Sequence, residues 1–270
     1  MISRRTLLKS AAATAVAIPA GLASYGYLYE RHSVQVTREQ IPVTHLPQAL
    51  DGLTIGFLTD LHRSAWFSAD DAQLATETLM ATRPDLIVLG GDYVTWGDRQ
   101  FVGPSAESLA ALRAPHGVFA ILGNHDDDHD MPAALTARGI QVLKDARTRL
   151  LIRGEALELA GIRFWTRRQS DIANVIRGAS GTVILLAHDP RRLVQAAALK
   201  IPLILSGHTH GGQVVLPGVG AVAAQRFPVV AGLGAEGDST IFVSRGLGTV
   251  WVPVRLNCPP EVALLTLRAA

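Results

Sequence analysis

Five short polar clusters carry residue types that bind divalent ions: Asp60-Leu61-His62, Gly91-Asp92, Gly123-Asn124-His125-Asp126, His188 and Gly207-His208-Thr209-His210. Each directly follows a short apolar run, which places it at the end of a buried strand. Two divalent ions about 3.5 to 4 Å apart need one ligand that touches both, and a carboxylate has the two oxygens and the charge for it. Asp92 is that candidate. Asp60 and His62 stand two residues apart, as do His208 and His210, so the side chains of each pair leave a strand end on one side and can chelate one ion. Asn124 and the imidazoles are neutral ligands, so Asp60 and Asp92 alone oppose four positive charges and the centre stays cationic. Such a centre attracts an anionic substrate and suits cleavage of a phosphate ester. A lone buried histidine is more often a satisfied core residue, but that reading does not account for five clusters at five strand ends.

The elements that must position these clusters follow a strand-helix rhythm. Residues 53–58 read as a buried strand ending at Asp60, and 69–82 as a helix stopped before Pro84. Residues 86–89 form a strand ending in Gly90-Gly91-Asp92, 106–112 a second helix, and 118–122 the strand that delivers Asn124 and His125. Asp60 to Asp92 and Asp92 to Asn124 are both 32 residues, close to one βαβ unit. Right-handed crossovers then bring the three strand ends to one sheet edge. Short strands at 140–143, 148–152, 157–160 and 162–165 suggest a second sheet. Residues 183–186 end at His188, Asp189-Pro190 opens a helix to about Leu199, and 203–205 end at His208. A strand at 213–216 leads into a Gly-rich, helix-poor stretch to Asp238; strands at 240–243 and 262–267 close the fold. Ahead of all this, 33–50 reads as an edge strand and a connection, because Pro42 and Pro47 cannot donate to a ladder.

With 270 residues, 48% of them hydrophobic, the chain can bury a full core. Its formal charge of +2 resides at the N-terminus, where Arg4, Arg5 and Lys9 precede any acid; the remainder holds 22 basic against 23 acidic residues. The body therefore offers no basic surface for nucleic acid. Ser3-Arg4-Arg5-Thr6-Leu7-Leu8-Lys9, with an uncharged run from Ser10 to Tyr29, resembles a twin-arginine export signal. That leader, residues 1–30, implies the twin-arginine translocase as a partner and a location outside the cytoplasmic membrane, periplasmic or anchored, with 31–270 as a single domain. Gly21-Leu22-Ala23 offers small residues to a peptidase, while Tyr25, Tyr27, Leu28 and Tyr29 extend the run to about the 20 residues that span a bilayer, so cleavage and membrane anchoring both stay open. Cys258 is the only cysteine, which excludes an intrachain disulfide and makes it a small buried hydrophobe by default.

From about Gln48 to Leu267 the ordered clusters resemble the calcineurin-like metallophosphoesterase family. The resemblance implies a four-layer α/β/β/α sandwich of two mixed sheets flanked by helices. It implies one metal held by Asp60, His62, Asp92 and His210, and a second held by Asp92, Asn124, His188 and His208. A bridging hydroxide would attack phosphorus in line, and His125 would protonate the leaving oxygen or steady the transition state. A general acid in that position needs a pKa near the working pH. Mn²⁺ is the expected ion, although Fe and Zn²⁺ suit the same N/O ligands. Asp126 either orients His125 or serves as a helix cap or solvated acid, and Asp98 is a further candidate for the orienting partner.

The leader, the run Leu53 to His62, and Arg245-Gly246-Leu247-Gly248 with the stretch Arg255 to Glu261 are similar to an exported bacterial branch of that family. That branch is related to small phosphodiesterases and to a UDP-2,3-diacylglucosamine diphosphatase of lipid A synthesis. The family's serine/threonine protein phosphatases place Asp and then Arg three and four residues after the bridging aspartate, where this chain has Thr95 and Trp96. Protein phosphatase activity is therefore not expected. Trp96 either offers an apolar face to a lipid or sugar or is a packed rim residue. Arg63 reads as a surface salt bridge ahead of a phosphate contact; Arg245, beside Gly246, lies where it could reach the site. The expected activity is metal-dependent hydrolysis of a phosphodiester or pyrophosphate in a small molecule or lipid. A non-catalytic metal-binding protein on the same scaffold is the alternative, which a proton donor beside the metals argues against.

Overall fold

In a computed structural model the chain is described over residues 3–270, so Met1 and Ile2 of the expected leader lie outside the described residues. The apolar runs form two six-stranded mixed sheets. In the first, β1 (Gln35–Val43) is the edge and runs parallel to β12 (Glu261–Ala269). β12 lies antiparallel to β2 (Thr54–Leu58), which starts a parallel set with β3 (Leu86–Leu89), β4 (Val118–Ala120) and β5 (Gln141–Val142). In the second, β6 (Ala146–Ile152) is antiparallel to β7 (Glu155–Gly161), and β7, β8 (Thr182–Leu186), β9 (Leu203–Ser206) and β11 (Ser239–Val243) run parallel. β10 (Gly232–Glu236) closes that sheet antiparallel to β11.

Strand side chains alternate between faces, and both faces of each sheet are buried. Ile55, Phe57, Val88 and Phe119 of the first sheet meet Leu159, Ile184, Leu205 and Phe242 of the second in the central core. Phe57 and Phe242 touch edge to face at 6.3 Å, near the middle of that layer. The outer face of the first sheet is covered by α2 (Ala69–Ala81), α3 (Val102–Ser108) and α4 (Asp130–Thr136), and that of the second by α5 (Gln169–Ile176) and α6 (Leu193–Ala198). The result is the four-layer α/β/β/α sandwich. α2 begins in a reciprocal cap, where Ser68 accepts from the Asp71 amide and Asp71 accepts from the Ser68 amide.

The helix expected at 106–112 instead occupies Val102–Ser108; Val102 and Ala106 face the core, and Pro104 falls in the first turn, where its missing donor has no helical partner to lose. No strand forms at 162–165, because Asp145 gathers the Arg163 amide, the Arg163 guanidinium and the Thr166 hydroxyl and bends the chain. Residues 213–216 make isolated bridges only, since Gly211, Gly212 and Gln213 turn through positive φ just before them. α4 arises from the acidic run, with Asp127 accepting from the amides of His129 and Asp130. Residues Arg4–Leu28 form a helix, α1 in chain order, whose last turns sit on the body. Gly26 accepts from the Arg255 amide at 3.4 Å, and the Tyr27 ring meets Trp66 at 6.4 Å. Among the described residues no helix is long and apolar enough to cross a membrane.

Candidate metal centre

The five clusters converge. Asp60 and His62 follow β2, Asp92 follows β3, Asn124 and His125 follow β4, His188 follows β8, and His208 and His210 follow β9, so the carboxyl ends of parallel strands in both sheets supply one site. Asp60, His62, Asp92 and His188 are buried, as is His210; Asn124 and His208 are half-buried. Three groups of donor atoms lie close together: Asp60 with His62 and His210, His62 with Asp92 and His125, and Asp92 with His188 and His208.

The distances suit coordination. His62 Nε2 is 3.1 Å from His210 Nε2 and 3.6 Å from Asp92 Oδ2, and His210 Nε2 is 3.4 Å from Asp60 Oδ1. On the other side His188 Nε2 is 3.0 Å from Asp92 Oδ2. Donors about 2.1 Å from an ion stand about 3 to 3.5 Å from one another, so this spacing fits ions held between them. The buried Asn124 Oδ1 has no hydrogen-bond partner, as expected of a ligand oxygen. Groups outside the cluster orient the rings: His188 Nδ1 meets the Gly90 carbonyl at 2.7 Å and His62 Nδ1 the Thr95 hydroxyl at 3.2 Å, leaving each Nε2 to face inward. The donor set therefore fits divalent metal.

The backbone is shaped for this purpose. Asp60, His62, Asp92, His208 and His210 all have positive φ, between 47° and 72°, which turns their side chains into the gap at a cost of about 1 kcal/mol or more each. A Cβ on Gly123 would lie 2.0 Å from Asp92 Oδ1, and one on Gly207 would lie 2.3 Å from Asp60 Oδ2. Only glycine admits the two carboxylates.

Electrostatics divide the group. Burial raises Asp60 to about 6, against the opposing pull of His188. Burial likewise lowers His62 to about 3 and His208 to about 4, and holds His210 well down. These rings are neutral at neutral pH, the form that ligates. For Asp92, burial is outweighed by His188 and the carboxyl stays strongly acidic. For His188, burial is outweighed by Asp92 and Asp60, and the imidazolium persists to about 10. His188 thus offsets part of the carboxylate charge by holding a proton.

Some sequence expectations change here. Neither Asp126 nor Asp98 orients His125: the Trp96 amide donates to its Nδ1 at 2.9 Å, and the Trp96 and His62 rings flank it at 4.5 and 4.8 Å. Asp126 accepts the amides of Asp92, Tyr93 and Gly123 and so clamps the β3 loop to the β4 loop. Asp98 caps Gln100. Arg63 is buried, donates to the Phe67 carbonyl and stacks over Phe101, so it is neither a surface salt bridge nor a phosphate contact. Arg245 pairs with Glu261 at 2.8 Å. Cys258 is buried, its thiol 3.2 Å from the His210 carbonyl. Sequence reading missed Phe164 and Phe227, which flank His208 at 5.2 and 5.4 Å, and the wholly buried Arg255, which binds the carbonyls of Arg245, Gly246, Gly248 and Cys258. The run of loop carbonyls around Gly246 and Gly248 leaves no pattern in sequence.

Comparison with known proteins agrees with this geometry. Residues 53–212 match the calcineurin-like phosphoesterase family. The chain is 33% identical to the uncharacterised metallophosphoesterase YkuE of Bacillus subtilis, over 99% of this chain and 98% of that protein. It is 32% identical to the phosphodiesterase YaeI of Escherichia coli, over 99% of this chain and 100% of that one. A transmembrane protein with a metallophosphoesterase domain from Danio rerio is 29% identical over 95% of this chain and 62% of its own length. The chain belongs to the calcineurin-like phosphoesterase family.

Proposed function

We propose that the protein is a dinuclear metal-dependent phosphodiesterase, cleaving a phosphodiester or pyrophosphate outside the cytoplasmic membrane after twin-arginine export. The observation that carries the catalytic reading is the single Asp92 carboxylate, which lies 3.6 Å from His62 Nε2 on one side and 3.0 Å from His188 Nε2 on the other. Its likeness over the full chain to a protein named as a phosphodiesterase supports the ester class. Asp60, His62, Asp92 and His210 would hold one ion, and Asp92, Asn124, His188 and His208 the other. Mn²⁺ is the first choice, with Fe or Zn²⁺ compatible. When bound, the ions would supply positive charge to the phosphoryl oxygens and activate water for attack.

His125 would act as a hydrogen-bond donor. Its Nδ1 accepts the Trp96 amide, which leaves the proton on Nε2, and burial lowers its basicity. A neutral imidazole so fixed stabilises developing charge on an oxygen and is not a source of a transferable proton. The paired arginines and uncharged run of the leader support export. The deciding assay is hydrolysis of bis(p-nitrophenyl) phosphate by the Mn²⁺-loaded chain with metal content measured in parallel. Wild type should turn over with two equivalents bound, and Asp92→Ala should lose both metal and activity. A fully loaded chain that hydrolyses no diester would make this a binding protein.

A further inference from the structure

The ligand cluster opens into a cavity. Asp92, Asn124, His125 and His208 line one end of a cavity of about 560 Å³ whose other walls are Leu216, Phe227 and the segment Val250-Trp251-Val252. All four tryptophans of the chain are more than half exposed, although tryptophan usually buries most of its surface. Trp96 and Trp251, 60% and 82% exposed, meet at 4.7 Å on the rim of this cavity. A second trough of about 580 Å³ shares Trp96 and the 250–252 wall and ends on Trp66, where Tyr27 of α1 is seated. Trp96 and the 250–252 wall therefore join the metal-ligand cavity to a trough of mixed polar and apolar lining that reaches the N-terminal helix.

The polar side chains along the walls decide what fits. Outside the ligand cluster and His125, and besides the indole N–H groups of Trp96 and Trp251, these are three: Thr209, Gln213 and Arg226. Thr209 Oγ1 donates to the Val230 carbonyl at 2.6 Å. The Gln213 amide is consumed at both ends, donating to the Val252 carbonyl at 2.7 Å and accepting the Val250 amide at 2.9 Å. A sugar or nucleobase placed here would lose its hydrogen bonds to water and find few replacements, whereas a hydrocarbon chain loses nothing. We infer that the substrate is an amphiphilic phosphoester, an alkyl or acyl chain joined to the phosphoryl group, with the chain lying along Leu216, Trp251 and Val252. The inference rests on the phosphoesterase reading of the ligand cluster and deepens it. Arg226, on the same wall, is placed for a second anionic group on such a lipid.

Binding of phosphate monoesters tests this independently of turnover. The Mn²⁺-loaded full chain is titrated calorimetrically with monoalkyl phosphates from methyl to decyl, below their micelle concentrations, and with uridine monophosphate. Each buried methylene should tighten binding about two- to fourfold, so that decyl phosphate binds on the order of 10²-fold or more tighter than methyl phosphate. Uridine monophosphate should bind like methyl phosphate. Trp251→Ala with Val252→Ser, and separately Leu216→Ser on the opposite wall, should each flatten the dependence on chain length while metal content stays at the wild-type value. A Kd independent of chain length, or uridine monophosphate binding as tightly as decyl phosphate, overturns the proposal. Absence of diester hydrolysis overturns only the phosphodiesterase reading, since chain binding is measured without it.

Discussion

At the scale of single residues, His125 shows how a main-chain donor fixes a side chain's chemistry. With Nδ1 occupied by the Trp96 amide, the ring cannot carry two protons without losing that bond. His125→Ala should therefore lower kcat on activated and unactivated diesters alike, by about 10² to 10³, with metal content unchanged. A general acid would be needed only by the poorer leaving group, and its loss would show as unequal decreases. The pH dependence gives a second check. A general acid works protonated, so its activity falls as pH rises through its pKa; kcat of the wild type should show no such fall across the ordinary imidazole range. Asp126 makes a different prediction. Both of its oxygens accept amides from two loops, and an Asn there would turn one acceptor into a donor facing a donor. Asp126→Asn should cost about 2 to 3 kcal/mol by denaturant titration and reduce metal occupancy, because Asp92 and Gly123 would no longer be held together.

At the scale of elements, the site depends on strand ends being rigid and loops being short. Five positions of the donor cluster at positive φ are tolerated because the strands behind them are buried on both faces and cannot relax. α2 contributes from a distance by covering β2 and β3. Its Asp71 closes the Ser68 cap and accepts from His32 at 2.7 Å. Burial opposes ionisation of this carboxyl, but the His32 and Ser68 bonds outweigh it and hold it below the ordinary carboxylate value. A lowered folded-state pKa means stability that is present above the unfolded value and lost as pH falls through the folded one. Asp71→Asn should thus lower Tm at neutral pH, and the gap to wild type should close as the solution is acidified.

At the scale of the whole molecule, β12 from the C-terminal end joins β1 to β5 in one sheet, β6 to β11 form the other, and the loops of both sheets meet around Asp92. Without metal, the buried charges of Asp60 and Asp92 are partly offset by the His188 imidazolium, which persists to about pH 10. With His188 as a metal ligand, as proposed above, binding must displace that proton, so apparent affinity should rise with pH up to that value, by about tenfold per unit for one proton released. Calorimetry in buffers of different ionisation enthalpy would count the protons, and a value near zero would contradict the charge arrangement. Ions that bind the folded chain in preference to the unfolded one stabilise it, so chelation should lower Tm by an amount that grows with the logarithm of the free metal previously present.

The sequence by itself determined the order of strands and helices in the first half, the five clusters and their assignment to strand ends. Each of those depends on local periodicity or on spacing along the chain, as with the two 32-residue intervals from Asp60 to Asn124. It missed α4 and α5 and placed strands at 162–165 and 213–216, where Asp145 and a Gly-rich turn prevailed over apolar patterning. Only the tertiary structure decided the partner of His125, the clamp by Asp126, the burial of Arg255 among loop carbonyls, and the apolar cavity between Leu216 and Trp251. The first three of these run through backbone groups, which every residue carries and no composition or period reveals, and the cavity is assembled from loops that meet only in the fold.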